Sequence, residues 1–121
     1  MKKLLLIFSC LLLLGCADPL RNKDIEMSVD RTAFKCTYMH AKGSKNYYLI
    51  IHMYYNDVKK VYIDMEGDGL ADYCMELHPR PGGKYEKVRE VSREDYPDGW
   101  QMVDRVFSDF RLHAERVYGS R

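Results

Sequence analysis

Apolar and polar residues alternate over much of the second half of the chain, and this period predicts strands. Residues 58–65 alternate between apolar positions such as Val61 and polar positions such as Lys60, as in a half-buried strand. Residues 70–77 show the same alternation after the Gly-Asp-Gly sequence at 67–69. The two segments therefore predict a β-hairpin.

Three further segments favour β-structure. Residues 47–55 are almost all β-formers and predict a central strand covered on both faces. Residues 33–39 alternate loosely, and residues 85–91 are more highly charged, as is typical of a sheet edge. Residues 78–83 predict a surface loop, because their prolines and glycines interrupt a strand or a helix.

A different period predicts one helix at the end of the chain. Asp98 and Gln101 have the spacing of a capping box, and Gly119 is a natural helix end. We expect the apolar positions between them to pack on the sheet, and they are Trp100, Val103, Phe107, Phe110, Ala114 and Val117. The expected fold class is α+β, with a small antiparallel sheet of four or five strands and one C-terminal amphipathic helix packed on it.

The N-terminal sixteen residues have the pattern of an export signal. Met1-Lys2-Lys3 is followed by an apolar run over 4–14, which is shorter than the roughly 20 residues that span a membrane. Leu13-Leu14-Gly15-Cys16 then resembles the lipobox of bacterial lipoproteins. The resemblance implies cleavage before Cys16 and acylation of its thiol. The alternative is an ordinary signal peptide with a coincidental Gly-Cys.

This resemblance implies a domain organisation and a location. Residues 1–15 would be a signal peptide, residues 16–30 the lipidated N-terminus and tether, and residues 31–121 a single α+β domain. In lipoproteins an aspartate after the acylated cysteine favours the inner membrane, but here the residue is Ala17. The expected location is therefore the periplasmic face of the outer membrane. Several acyl chains give a stable anchor, since each buried methylene contributes about 0.8 kcal/mol.

The cysteines predict a covalent cross-link. Of the four, Cys10 lies in the signal segment and Cys16 would be acylated, which leaves Cys36 and Cys74. An exported protein meets an oxidising compartment, so a Cys36–Cys74 disulfide is predicted. Two free thiols are the alternative.

The segment 64–72 has the spacing of a calcium-binding loop. Calcium takes about six to eight oxygen ligands, and acidic side chains at loop positions 1, 3, 5 and 9 with glycine at position 6 can supply several of them. The segment resembles the DxDxDGxxD loops of FG-GAP-type repeats, although Glu66 and Met75 depart from calcium-loop patterns. An acidic hairpin turn without an ion is the alternative. The candidate ligands are the side chains of Asp64, Glu66, Asp68 and Asp72 and the carbonyl of Leu70.

The remaining residues predict no catalytic constellation. The four histidines lie in separate elements, and no GxSxG motif is present. With a net charge of +1 and scattered basic residues, we expect no nucleic-acid partner. The expected function is a non-enzymatic binding or accessory module that holds an envelope protein or a cell-wall component. The alternative is a small metal-dependent envelope hydrolase in which His52 or His78 moves protons beside a catalytic ion.

Overall fold

The computed structural model of the chain describes residues 22–119, in which six strands precede one helix. An antiparallel sheet with one C-terminal helix is therefore confirmed, but the sheet has six strands instead of four or five. The elements are β1 (Lys23–Asp30), β2 (Phe34–Ala41), β3 (Tyr47–Met53), β4 (Val58–Asp64), β5 (Tyr73–Arg80), β6 (Lys84–Ser92) and α1 (Gln101–Tyr118).

Each strand pairs with its neighbours along the chain, so the spatial order is β1-β2-β3-β4-β5-β6. All five pairings are antiparallel, which short connections favour. In the turn from β5 to β6, Gly82 and Gly83 have φ values of 88° and 76°, a region that glycine enters without steric cost. β1 and β6 are the two edges of the sheet.

Two apolar clusters form on opposite faces of the sheet, because successive side chains of a strand point to opposite sides. On one face, the ring of Tyr38 stacks on Phe110 at 5.4 Å and meets Phe107 edge-on at 5.9 Å. The helix packs on this face. Ile63 and Met75 are buried in the cluster on the other face. Buried side chains on both faces agree with the prediction that the sheet has a central strand.

The helix occupies the predicted region but begins without the predicted cap. Trp100 is the N-cap residue and no side chain caps the helix, so the capping box of Asp98 and Gln101 is wrong. The predicted end is confirmed, since Gly119 has φ 85° and its N–H donates to the carbonyl of Glu115. Of the predicted apolar positions only Val117 is exposed.

The first strand lies inside the segment predicted as a tether. Residues 23–30 form β1 and pair with β2, so the tether prediction for 16–30 is wrong over these positions, and the folded domain begins before residue 31. Ile25, Met27 and Val29 pack on the helix-side cluster while the residues between them are more exposed. This is the period-two alternation of a strand with one buried face.

Pro79 lies within β5, where the sequence predicted a loop. β4 pairs with β5 only as far as Leu77, and beyond it β5 pairs with β6 alone. The missing N–H of Pro79 therefore interrupts no hydrogen bond between β4 and β5, which is where proline is tolerated in a sheet.

The predicted disulfide is wrong. Cys36 and Cys74 are both free thiols, Cys36 buried in β2 and Cys74 half-buried in β5. β3 and β4 lie between them, so at strand spacings of about 4.8 Å their α-carbons are at least about 14 Å apart. A disulfide needs α-carbons within about 7 Å.

Candidate functional site

The acidic segment forms the connection between β4 and β5. Asp64 is the last residue of β4, and Tyr73 is the first of β5, so Met65 to Asp72 form the loop between two neighbouring antiparallel strands. The predicted hairpin is therefore confirmed. Gly67 and Gly69 have φ values of 72° and 87° and allow the chain to turn tightly around the Asp64 carboxylate.

Asp64 organises this loop through its carboxylate. The side chain is 1% exposed, and its two oxygens accept hydrogen bonds from the backbone N–H groups of Glu66, Gly67 and Gly69 at 3.2, 2.9 and 2.8 Å. Burial raises the pKa of Asp64 to about 6, and the neighbouring Asp68 carboxyl adds to the increase. The backbone N–H groups act in the opposite direction, because they stabilise the charged form.

The other predicted ligands lie around Asp64 without all turning toward one point. Asp68 accepts the N–H of Leu70 at 3.0 Å, and Asp72 accepts the N–H of Met65 at 2.8 Å. Burial raises the pKa of Asp72, and the charges of Asp68 and Glu66 add to that increase. The side chains of Glu66 and Leu70 are exposed. Asp64, Asp68 and Asp72 thus influence one another electrostatically at one end of the sheet.

The fit of this loop to a calcium ion is partial. Within residues 22–119, no group of three or more His, Cys, Asp or Glu side chains is arranged to hold a metal ion. Three backbone donors already occupy most of the acceptor capacity of Asp64, whose carboxylate offers about four lone-pair positions. The side of the Asp64 carboxyl that faces Asp68 is where a cation would replace a proton shared by these two groups. Calcium binding stays a proposal.

Arg93 joins the acidic loop to the start of the helix. Its Nε donates to the carbonyl of Ala71 at 2.6 Å, while its two terminal nitrogens donate to the carboxylate of Asp104. The guanidinium also lies over the ring of Trp100, 4.9 Å from its centroid. One side chain thus holds the loop, the first turn of α1 and the N-cap residue together.

A cleft of about 280 Å³ lies on the helix side of the sheet, next to Trp100. Its floor is made of two cross-strand rows on β4, β5 and β6, and residues 96–100 form a wall. In strand register, one row is Lys60–Glu76–Arg89 and the next is Tyr62–Cys74–Val91. The cleft therefore places alternating charges beside an apolar strip.

The charged row carries one ionised acid between two bases. His78 shares a hydrogen bond of 2.6 Å with Glu76 and lowers the pKa of that carboxyl, and the positive charges of Lys60 and Arg89 lower it further. In the other row, burial raises the pKa of the Cys74 thiol, although its hydrogen bond with Tyr62 acts in the opposite direction. Cys74 is thus a weakly reactive thiol in the cleft.

Sequence reasoning did not identify this cleft. Lys60, Glu76 and Arg89 come from three separate strands, and only the register of β4, β5 and β6 aligns them. The alternation within each strand indicated which side each residue faces, but it contained no information on which residues lie opposite one another across strands.

The two histidines of the hydrolase alternative lie far from the acidic loop. His52 pairs with Lys59, five residues before Asp64 along β4, which corresponds to roughly 17 Å. His78 lies on β5 beyond the end of its pairing with β4. His52 is instead hydrogen-bonded to Asp57 at 2.5 Å. Neither histidine is placed to move protons at a loop-bound ion.

The described part of the chain contains no helix that is both long and apolar enough to cross a membrane. No protein family, curated protein or solved structure matches the chain.

Proposed function

We propose that the protein is a lipid-anchored, non-enzymatic binding or accessory module at the periplasmic face of the outer membrane. Acylation of Cys16 in the sequence Leu13-Leu14-Gly15-Cys16 would supply the anchor. The domain would hold an envelope protein or a cell-wall component close to the membrane, and the proposal includes no nucleic-acid partner.

The observation that carries this proposal is the position of the first strand. β1 begins at Lys23, seven residues after Cys16, so a fully extended connection reaches at most about 24 Å. An acylated Cys16 would therefore hold the folded domain next to the bilayer. Because β1 and β6 are the two edges of the sheet, β6 would be the strand farthest from the lipid attachment point.

The arrangement of polar groups supports binding over catalysis. His52 and His78 lie at a distance from the acidic loop, and the carboxylate of Asp64 is engaged by backbone donors. The proposal also includes a structural role for Ca²⁺, in which the ion takes the place of a proton between Asp64 and Asp68. The loop would then be rigidified by the ion, with no open coordination position needed for chemistry.

Crosslinking in intact cells tests the binding role. We expect the full chain to give a discrete adduct with one envelope protein or with cell-wall material, and the Cys16→Ser variant to lose that adduct because the domain no longer stays at the membrane. A hydrolase activity of the purified chain that disappears when a single polar residue of the cleft, such as Glu76, is replaced by Gln would overturn the proposal.

A further inference from the structure

We propose that the cleft beside Trp100 binds a small zwitterion of amino-acid or dipeptide size that carries an apolar side chain. This inference deepens the proposed function by naming a ligand class for the binding module, and it rests on that function for the biological setting.

The size of the cleft suits a small ligand. Its volume of about 280 Å³ is close to the lower end of the range for small-molecule sites, roughly 300–1,000 Å³. A folded domain or a long glycan strand could place only a terminal group there. A compact molecule of amino-acid or dipeptide size would fill it.

The charges of the cleft select a ligand with both signs. Lys60 and Arg89 are exposed bases on either side of Glu76, and Asp98 adds a second acid from the wall. A purely anionic ligand could pair with the two bases but would leave the two acids without a partner in the ligand, and a purely cationic one would do the same to the two bases. A ligand carboxylate can face Arg89, whose planar guanidinium matches it, while a ligand ammonium faces an acid.

The second row of the floor selects an apolar side chain. Tyr62 and Val91 are half-buried, and the indole of Trp100 meets the Tyr62 ring edge-on at 5.9 Å. The guanidinium of Arg93 packs over the ring of Trp100 and holds it in place. This wall is therefore formed in the absence of a ligand. An aliphatic or aromatic side chain would remove the remaining apolar surface of this row from water.

The position of the cleft agrees with a ligand in the periplasm. Its floor belongs to β4, β5 and β6, whereas the proposed lipid attachment precedes β1 at the opposite edge. At about 4.8 Å per strand, β6 is some five spacings, or about 24 Å, across the sheet from β1. The cleft thus lies on the half of the sheet farther from the anchor.

Protection of Cys74 from alkylation tests the inference directly, since its thiol lines the cleft. The probe is the dipeptide Leu-Leu, added to the full chain purified in detergent, with alkylation followed by peptide mass mapping. At a dipeptide concentration ten times its Kd, the Cys74 rate should fall by about tenfold. Cys36, which lies in a separate apolar groove, should react at an unchanged rate and is the internal control.

Matched ligands and variants separate the charge argument from simple burial. N-acetyl-Leu-Leu and Leu-Leu-amide each lack one charge and should protect Cys74 less than Leu-Leu does. Arg89→Gln should abolish protection, whereas Arg116→Gln on the last turn of the helix should leave it intact. Equal protection by all three ligands, or none at millimolar Leu-Leu, would refute the inference. The anchoring proposal would be unaffected, because Cys16 does not enter this measurement.

Discussion

At the residue scale, Asp64 determines the shape of the acidic loop. Three backbone N–H groups converge on its buried carboxylate, as in an extended version of the turns that Asp side chains form with nearby backbone. The ligand spacing of the sequence predicted Asp64 only as one of four acidic side chains around a calcium ion. The sequence could not show that backbone donors compete with an ion for the same oxygens, because that depends on the φ values adopted at Gly67 and Gly69.

The raised pKa of Asp64 predicts that stability falls as the pH rises through about 6. Its pKa is about 6 in the folded chain against an ordinary value of 3.8, so between these values the folded state holds a proton that the unfolded state has released. The stabilisation is fully present below pH 3.8 and is lost as the pH rises through 6. The shift corresponds to about 3 kcal/mol in the free energy of unfolding.

Urea denaturation of the wild type and of Asp64→Asn across this pH range measures the effect. The amide does not titrate, so the variant should lack the part of the pH dependence that Asp64 contributes. The difference in the free energy of unfolding between the two proteins should therefore change with pH, with an apparent pKa near 6 for the folded state. A difference that is constant between pH 4 and pH 7 would contradict the assigned role of Asp64.

Calcium is expected to raise the melting temperature at neutral pH. A cation between Asp64 and Asp68 would offset their repulsion, and stability would increase by RT ln(1 + [Ca²⁺]/Kd), or about 2.7 kcal/mol at a hundredfold excess over Kd. The measurement is a thermal melt after chelator treatment, with and without millimolar Ca²⁺. Magnesium should stabilise less, because it demands stricter octahedral geometry.

Two variants locate the calcium effect. Asp68→Ala should abolish the increase in melting temperature, since it removes the partner of Asp64. Glu94→Ala changes an exposed acid outside the loop and should preserve the increase. If the melting temperature of the wild type does not change with calcium, the segment does not bind the ion and is an acidic turn stabilised by hydrogen bonds alone.

At the element scale, Arg93 connects three parts of the fold, and its replacement by lysine should be costly. Lysine keeps the charge but cannot donate to Ala71 and to both oxygens of Asp104 at once. We expect a loss of about 2 kcal/mol in the free energy of unfolding, the range for charge-assisted hydrogen bonds that are partly buried. Denaturant unfolding measures it, and Arg105→Lys on the exposed side of the helix is the control. Equal stability of both variants would show that Arg93 does not hold the loop to the helix.

Elements whose apolar pattern repeats over many residues were predicted more accurately than short elements with few apolar residues. The helix was found because its apolar positions recur over eighteen residues, and the differences were the missing cap and the exposed Val117. β1 was missed although its three apolar residues alternate with polar ones, because the segment follows the lipobox-like sequence and was assigned to the tether. Its place in the sheet depends on pairing with β2, a contact between segments that local composition does not report.

At the scale of the whole molecule, strand order determines the distance between Cys36 and Cys74 and the location of the cleft. The oxidising compartment alone predicts a Cys36–Cys74 disulfide, but two strands separate the cysteines. The same order brings Lys60, Glu76 and Arg89 into one row. Both outcomes depend on long-range pairing, whereas the resemblance of residues 13–16 to a lipobox is a local pattern that can be interpreted without any fold.

The lipid anchor is the central claim, and metabolic labelling with an alkyne fatty acid tests it most directly. The wild-type chain should be labelled and should fractionate with membranes, while Cys16→Ser should be unlabelled and released from them. Cys74→Ser is the matched control and should behave like the wild type, because its thiol lies inside the folded domain. A Cys16→Ser protein that remains labelled and membrane-bound would contradict the account.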